Sequence, residues 1–308
     1  MTLTELRYIV ALARERHFGR AAQRCHVAQP TLSVAVKKLE STLGVMLFER
    51  GQHDVRPTSA GEAIVQQAEQ VIAQVLCLTE LAARYGDPLS GPLRLGAIYT
   101  IGPYLLPRLV PLIKARAPQM PLMIEEGYTD GLLDALKNGD LDVIVLALPI
   151  DQPGIVTQPV YEEQFCVLMP ATHPWRSHPC IKASDLAHSP LLMLGRGNCF
   201  RDQVLDLCEK AGAGGPQVLE GSSLETIRYM VASGIGPTVM PASAVAHIAE
   251  NDPLLCVKPF DHPQPIRQVA LAWRASFPRF AAIDALRSAI LDSDLSGCRP
   301  ITSRRAAC

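Results

Sequence analysis

The stretch Gln29-Pro30-Thr31-Leu32-Ser33-Val34-Ala35-Val36-Lys37-Lys38-Leu39-Glu40-Ser41-Thr42-Leu43-Gly44 decides the fold of the first part of the chain. Leu32, Val36, Leu39 and Leu43 recur at helical spacing. A proline in the first helical turn sacrifices no intrahelical hydrogen bond, so Pro30 marks a start rather than a break. Between the apolar positions, Gln29, Thr31, Ser33, Lys37 and Lys38 form a polar face. Upstream, Leu3, Leu6, Ile9, Val10 and Ala13 predict a first helix over residues 4–15. A second is predicted over residues 19–25, where Ala21 and Ala22 are small enough for close helix contact. His26-Val27-Ala28 then makes a tight turn. Two short helices, a turn and a polar-faced helix describe a helix-turn-helix. The same pattern also fits an ordinary three-helix bundle with a polar outer face.

Downstream, residues 45–50 read as a strand, 51–54 as a turn and 55–58 as a return strand, a two-stranded wing. Charge bears on the choice, although a surplus of four is often just a solvated surface. Residues 1–58 carry nine Lys or Arg against five Asp or Glu, whereas the other 250 carry 20 against 25. A basic head on an acidic body suggests a polyanion partner for the head alone. The DNA major groove admits one helix, and short side chains near that helix's N-terminus reach base edges. The expected DNA-facing set is Gln29, Pro30, Thr31 and Ser33 at the bases, and Lys37 and Lys38 at phosphates. Arg50 and Arg56 on the wing would touch the backbone or minor groove.

Several of these stretches carry a family resemblance. They are Ala21-Ala22, Gln29-Pro30-Thr31-Leu32-Ser33, Lys38-Leu39-Glu40, Leu43-Gly44, Leu47-Phe48-Glu49-Arg50 and Thr58-Ser59-Ala60-Gly61. Together they resemble the LysR-type transcriptional regulators, across the whole head and with spacings intact. The resemblance implies a winged helix-turn-helix, a dimer-forming linker helix and a C-terminal sensor domain of periplasmic-binding-protein type. It implies double-stranded DNA as partner, a homodimer or homotetramer, and contact with RNA polymerase. It implies no enzymatic turnover.

Composition sets the outer limits. The chain has 308 residues, 48% hydrophobic and 19% charged, with net charge −1, which is globular and long enough for two domains. The longest apolar run, Val143 to Pro149, is far short of the roughly 18 residues a membrane helix needs. Glu5 and Arg7 interrupt the apolar pattern of the N-terminus, so no export signal is expected. Nine cysteines, an odd number, then suit a cytoplasmic protein with reduced thiols. No C-x-x-C pair, zinc spacing, P-loop or dinucleotide glycine motif is present, so neither metal nor cofactor is expected.

Ser59-Ala60-Gly61-Glu62 fits a capping box opening a linker helix, placed at residues 59–87. Ile64, Ala68, Val71, Val75, Leu78 and Ala82 fall on one heptad seam, which favours a coiled-coil dimer helix over one packed on its own domain. The regulatory domain is placed at residues 91–291, and 292–308 as a disordered tail. Strand-like 93–97, 122–126 and 143–148 alternate with helix-like 101–115 and 131–138, an α/β pattern with crossover helices. A second block begins near Val167, and Val269 to Trp273 reads as a strand returning to the first. Two α/β lobes with a cleft follow. Ligands in such folds sit at strand C-terminal ends, where Thr100 and Thr129 lie, although either could simply cap a helix.

One pair of cysteines stands out by context. Gly195-Arg196-Gly197-Asn198 leads into Cys199-Phe200-Arg201-Asp202-Gln203-Val204-Leu205-Asp206-Leu207-Cys208. Asn198 is a good N-cap, so Cys199 falls in a first turn, where the helix dipole favours negative charge. Cys208 shares the buried face with Phe200, Val204 and Leu207. Nine helical steps at roughly 1.5 Å span about 13.5 Å. A disulfide tolerates Cα atoms only up to about 6.8 Å apart, so bonding would require the helix to unwind.

This segment, with 10–13, 17–18, 25–27, 44–47, 102–107, 191–194 and 223–226, resembles the hydrogen-peroxide-sensing branch of the LysR family. Carried over, Cys199 is the peroxide-reactive thiol and Cys208 the resolving thiol. Thr100, Thr129, Asn198, Asp202 and Arg267 form the peroxide pocket, with Arg267 stabilising the thiolate. The branch commonly has histidine directly before the reactive cysteine; here it is Asn198, which cannot exchange a proton near neutral pH. The alternative is a LysR-type regulator that binds a small metabolite in the cleft, with the cysteines incidental. A thiol peroxidase and a solute-binding transport protein fit the basic head poorly.

Overall fold

The computed structural model describes residues 1–50, 55–83, 88–188, 190–210, 218–246, 248 and 252–302, with only the backbone of Arg50, 79–83, 187 and 188. The wing turn at 51–54 and the Arg50 side chain therefore lie outside the described residues. The chain divides into two compact units, the head with its linker helix and the regulatory unit.

The head begins with α1 (Leu3–Glu15), capped by a reciprocal pair of bonds between Thr2 and Glu5. α2 (Phe18–Arg24) is capped by His17, whose Nδ1 accepts from the amides of Gly19 and Arg20. α3 (Gln29–Leu43) ends at Gly44, whose φ of 70° is the left-handed turn that glycine tolerates best. β1 (Phe48–Arg50) and β2 (Val55–Pro57) pair antiparallel as the wing. Leu6, Ile9, Leu12, Ala21, Ala22, Leu32, Val36, Leu39, Leu47 and Phe48 bury into one core. Glu40 is buried with them because its carboxylate accepts from the amides of Leu47 and Phe48, at 2.9 and 3.2 Å. That contact fixes the wing to α3.

α4 (Ser59–Ala83) is the linker helix. Its cap is Thr58, one residue earlier than the capping box at Ser59 would place it: Thr58 Oγ1 accepts from the amide of Gly61 at 2.9 Å. The predicted seam divides. Val65 and Ala68 are buried in the head's core and Ile64 and Ile72 pack against it, whereas Val71 and Leu78 are exposed. The Ala82 side chain lies outside the described residues.

The regulatory unit holds one mixed sheet that runs through two lobes. In the first lobe, β3 (Leu93–Ile98), α5 (Gly102–Arg116), β4 (Leu122–Gly127), α6 (Thr129–Asn138) and β5 (Val143–Ala147) alternate, and β3 lies parallel between β4 and β5. β6 (Ile155–Pro170) then crosses into the second lobe. That lobe contains β7 (Leu191–Leu194), α7 (Cys199–Lys210), β8 (Val218–Gly221), α8 (Leu224–Ala232), β9 (Thr238–Pro241), α9 (Ala242–Val245) and β10 (Leu255–Pro259). β11 (Ile266–Arg274) returns to the first lobe between β5 and β6, antiparallel to both, and α10 (Phe280–Leu291) covers it. The sequence placed the second block at Val167; the strand begins twelve residues earlier and belongs to both lobes. Each lobe has its own core, built on Leu95, Leu105, Val145 and Leu271 in the first and on Val167, Leu192, Val204 and Val239 in the second.

The stretch after Leu291 was expected to be a disordered tail; over residues 292–302 that expectation is corrected, and residues 303–308 lie outside the described residues. β12 (Cys298–Pro300) pairs with β6, Ser293 is buried and Leu295 and Cys298 pack on the first core. An edge of β6 left open by β11 recruits these residues, a cause with no local sequence pattern.

Candidate redox site and DNA-binding face

The cleft site is built at the C-terminal ends of three neighbouring strands. Thr100 follows β3, Thr129 follows β4 and Leu148 follows β5. Neither threonine caps its helix. Ile101, not Thr100, is the cap residue of α5, and the buried Thr129 Oγ1 has no hydrogen-bond partner.

The second lobe brings α7 across these ends. Cys199 is its first residue, partly buried against the first core. Gly197 enters at φ 90°, and a Cβ there would stand 3.9 Å from the Tyr128 ring. The Asn198 amide donates to the Gly195 carbonyl at 3.0 Å and closes the entry loop. Arg201 anchors the helix start by donating to the Leu194 carbonyl and to Glu220, both at 2.8 Å. Gln203 Nε2 donates across to the Leu148 carbonyl at 3.2 Å, while the buried Gln203 Oε1 has no partner. Thr129 Oγ1, at the end of β4, and Gln203 Oε1, on α7, are thus unmet buried polar atoms. Unmet buried polar atoms cost stability and mark places where a small polar guest would be held.

Arg267 lies at the centre, with its side chain fully buried. Its Nη1 and Nη2 donate to Thr100 Oγ1 and the Thr100 carbonyl, each at 2.9 Å. Its Nε donates to Glu163 Oε2 at 2.8 Å, and the guanidinium sits 5.2 Å from the Phe200 ring. Burial works against its charge, but the Glu163 carboxylate beside it outweighs burial and holds its proton affinity above the ordinary. Removing one partner of such a buried pair costs about 3–5 kcal/mol.

Cys208 faces the second core, 1% exposed, and both cysteines are free. Burial pushes the Cys208 thiol up, and Glu209 adds to the shift. Ten residues of unbroken helix separate it from Cys199 inclusively, so in this state the two sulfurs do not meet.

The structure joins Thr100 to Arg267 and sets Arg267 over Phe200, the residue after Cys199, while Asn198 closes the entry loop and Thr129 stands at the end of the neighbouring strand β4. It does not gather Asp202, which is exposed and without a hydrogen-bond or ion-pair partner among the described residues. Two residues escaped the sequence reading. Glu163 sits in Glu162-Glu163-Gln164, which looks like a solvated strand; the signal would have been the counter-charge that a buried Arg267 requires. Gln203 looked like an ordinary polar position of an amphipathic helix.

On the head, Gln29, Pro30, Thr31, Lys37 and Lys38 are exposed along α3, and Ser33 is half-buried. Lys38 stands 3.5 Å from Glu5 but keeps most of its side chain in solvent. Arg56 is exposed on β2. Among the described residues, no helix is long and apolar enough to cross a membrane.

Comparison with known proteins agrees with both units. Residues 3–62 match the bacterial regulatory helix-turn-helix protein, lysR family, and residues 86–294 match the LysR substrate binding domain. The chain is 41% identical over 293 residues to the DNA-binding transcriptional dual regulator OxyR of Escherichia coli K12, covering 94% of this chain and 95% of that protein. It is similar to the structure of full-length OxyR C199D from Pseudomonas aeruginosa, at 51% identity and TM-score 0.76, covering 99% of both chains. It is also similar to a reduced form of OxyR from N. meningitidis, at 43% identity and TM-score 0.63, over 69% of this chain and all of that one. These relatives are DNA-binding regulators and not enzymes. The chain belongs to the LysR family of bacterial transcriptional regulators, in its OxyR-like branch.

Proposed function

We propose that this protein is a cytoplasmic, peroxide-responsive transcriptional regulator switched by a Cys199–Cys208 disulfide. The observation that carries the reading is the pair of unmet buried atoms, Thr129 Oγ1 and Gln203 Oε1, at the cleft that α7 closes with Cys199. Hydrogen peroxide both donates and accepts hydrogen bonds, so it can meet both atoms. Thr100, Thr129, Asn198, Gln203 and Arg267 hold and polarise it; Asp202, exposed, has no part in this pocket.

In the first step the Cys199 thiolate attacks one peroxide oxygen. The O–O bond breaks, the second oxygen leaves as hydroxide and takes a proton to become water, and Cys199 becomes a sulfenic acid. In the second step Cys208, as thiolate, attacks the Cys199 sulfur. The S–O bond breaks, hydroxide leaves as water, and the disulfide forms. Two thiols lose two electrons and one peroxide becomes two waters. No cofactor takes part. Because α7 holds the thiols apart, the second step requires the helix to unwind, and that refolding is the signal.

The head reads double-stranded DNA with Gln29, Pro30, Thr31 and Ser33 near base edges. Lys37, Lys38, Arg50 and Arg56 contact the backbone. A homodimer or homotetramer joined through α4 presents two or more heads, and RNA polymerase is the target of activation.

Peptide mapping tests the reading. Reduced protein receives one equivalent of hydrogen peroxide, and free thiols are alkylated before digestion. A Cys199–Cys208 crosslink forming within seconds, absent in Cys199→Ser, is expected. Two free thiols after this treatment would refute it and leave the metabolite-binding regulator as the reading to pursue.

A further inference from the structure

Glu163 lies where β6 leaves one lobe for the other: residues 155–164 pair with β11, and 165–168 pair with β9. Its side chain is fully buried. Oε1 accepts from the Ser243 amide of the second lobe at 2.9 Å, and Oε2 accepts from Arg267. Arg267 Nη2 is also 2.7 Å from Oε2, and the same guanidinium holds Thr100 of the first lobe. One carboxylate therefore ties the two lobes together through the cation that faces Cys199 and its neighbour Phe200.

The other titratable groups around it are neutral. Cys298 on β12 is paired in register with Glu163 on β6, and burial with that charge nearby pushes its thiol well above the ordinary range. Burial raises Tyr161 in the same way, and the Cys166 thiol is pushed up to about 11. Glu162 points outward to Arg299, and Asp202 on α7 is exposed. Glu163 and Arg267 remain as the fixed charges of the node.

We propose that Glu163 is a positioning residue for the thiol chemistry: it fixes the Arg267 guanidinium against Thr100 and offsets part of the positive charge felt by Cys199. The offset favours attack, since a thiolate stabilised too strongly by a cation attacks more slowly. The C-terminal strand β12 joins the sensor through Cys298.

The inference rests on Cys199 as the oxidised thiol, but its test does not need peroxide. Alkylation of Cys199 by iodoacetamide is followed against pH by mass spectrometry in full-length wild type, E163Q and E163D. In E163Q the pH midpoint falls by about one unit, because the unopposed cation favours the thiolate. E163D, which keeps the charge, restores the midpoint. The peroxide rate of E163Q at the alkaline plateau falls several-fold. Should E163Q fail to fold, the double variant E163Q/R267M removes both charges together, and its midpoint lies above wild type because the cation facing Cys199 is gone. A wild-type midpoint in folded E163Q or in the double variant overturns the proposal. A wild type that ignores peroxide but shows these shifts would sink the peroxide reading and leave this one standing.

Discussion

Thr129 Oγ1 is buried without a partner, and such an atom costs the folded protein about 1–3 kcal/mol. Valine has the same shape without the hydroxyl. Thr129→Val is therefore expected to raise the unfolding free energy by about 1 kcal/mol, while oxidation of Cys199 by peroxide slows about tenfold. Thermal melting and a quenched alkylation time course read the two effects separately. A raised melting point with an unchanged rate would remove Thr129 from the peroxide site. Strand-end reasoning pointed to Thr100, which Arg267 does hold, whereas Arg267 and the peroxide role of Cys199 came into view only through the family resemblance. Glu163 was not legible, because its burial depends on β11 and β12 closing on β6 from far along the chain. Asp202 sits on the exposed side of α7, because Phe200, Val204 and Cys208 take the buried one.

At the scale of an element, the proposed disulfide makes α7 the part that must give way. Its intact ladder keeps Cys199 and Cys208 apart, so any change that stabilises the helix should slow disulfide formation. Asp206 is exposed and free of hydrogen-bond partners among the described residues, and aspartate is a poorer helix former than alanine by about 0.6 kcal/mol. Asp206→Ala is thus expected to slow the second step about two- to threefold and to leave sulfenic acid formation untouched. Trapping the sulfenic acid with dimedone while counting disulfide separates the steps. Equal or faster disulfide formation in Asp206→Ala would show that unwinding of α7 does not limit the switch. Element boundaries themselves were readable to within a residue or two where caps are local, as Thr58 in place of Ser59 shows. β6 was misplaced because a strand shared by two lobes has no single apolar rhythm.

The whole molecule depends on how protomers associate, and α4 supplies the testable face. Its seam was read as six apolar residues, but Ala68 turns out to be spent on the head's own core with Ile64 packed against it. Val71 and Leu78 remain exposed at 38% and 65%, seven residues and two turns apart on one side of the helix. Burying an exposed leucine between two copies of α4 is favourable by about 1.5–3 kcal/mol per copy, whereas a lysine there would be stranded. Leu78→Lys should leave the protomer folded, since it replaces a side chain already in water. Two heads held together bind two half-sites with an avidity gain of roughly 10²–10⁴, so losing the pair should cost operator affinity at least tenfold. Affinity for random DNA, set protomer by protomer through Lys37, Lys38 and Arg56, should change far less. Sedimentation equilibrium and salt-titrated binding to a selected operator and to random DNA measure all three quantities. If Leu78→Lys keeps both its mass and its operator affinity, the exposed side of α4 is not where protomers meet.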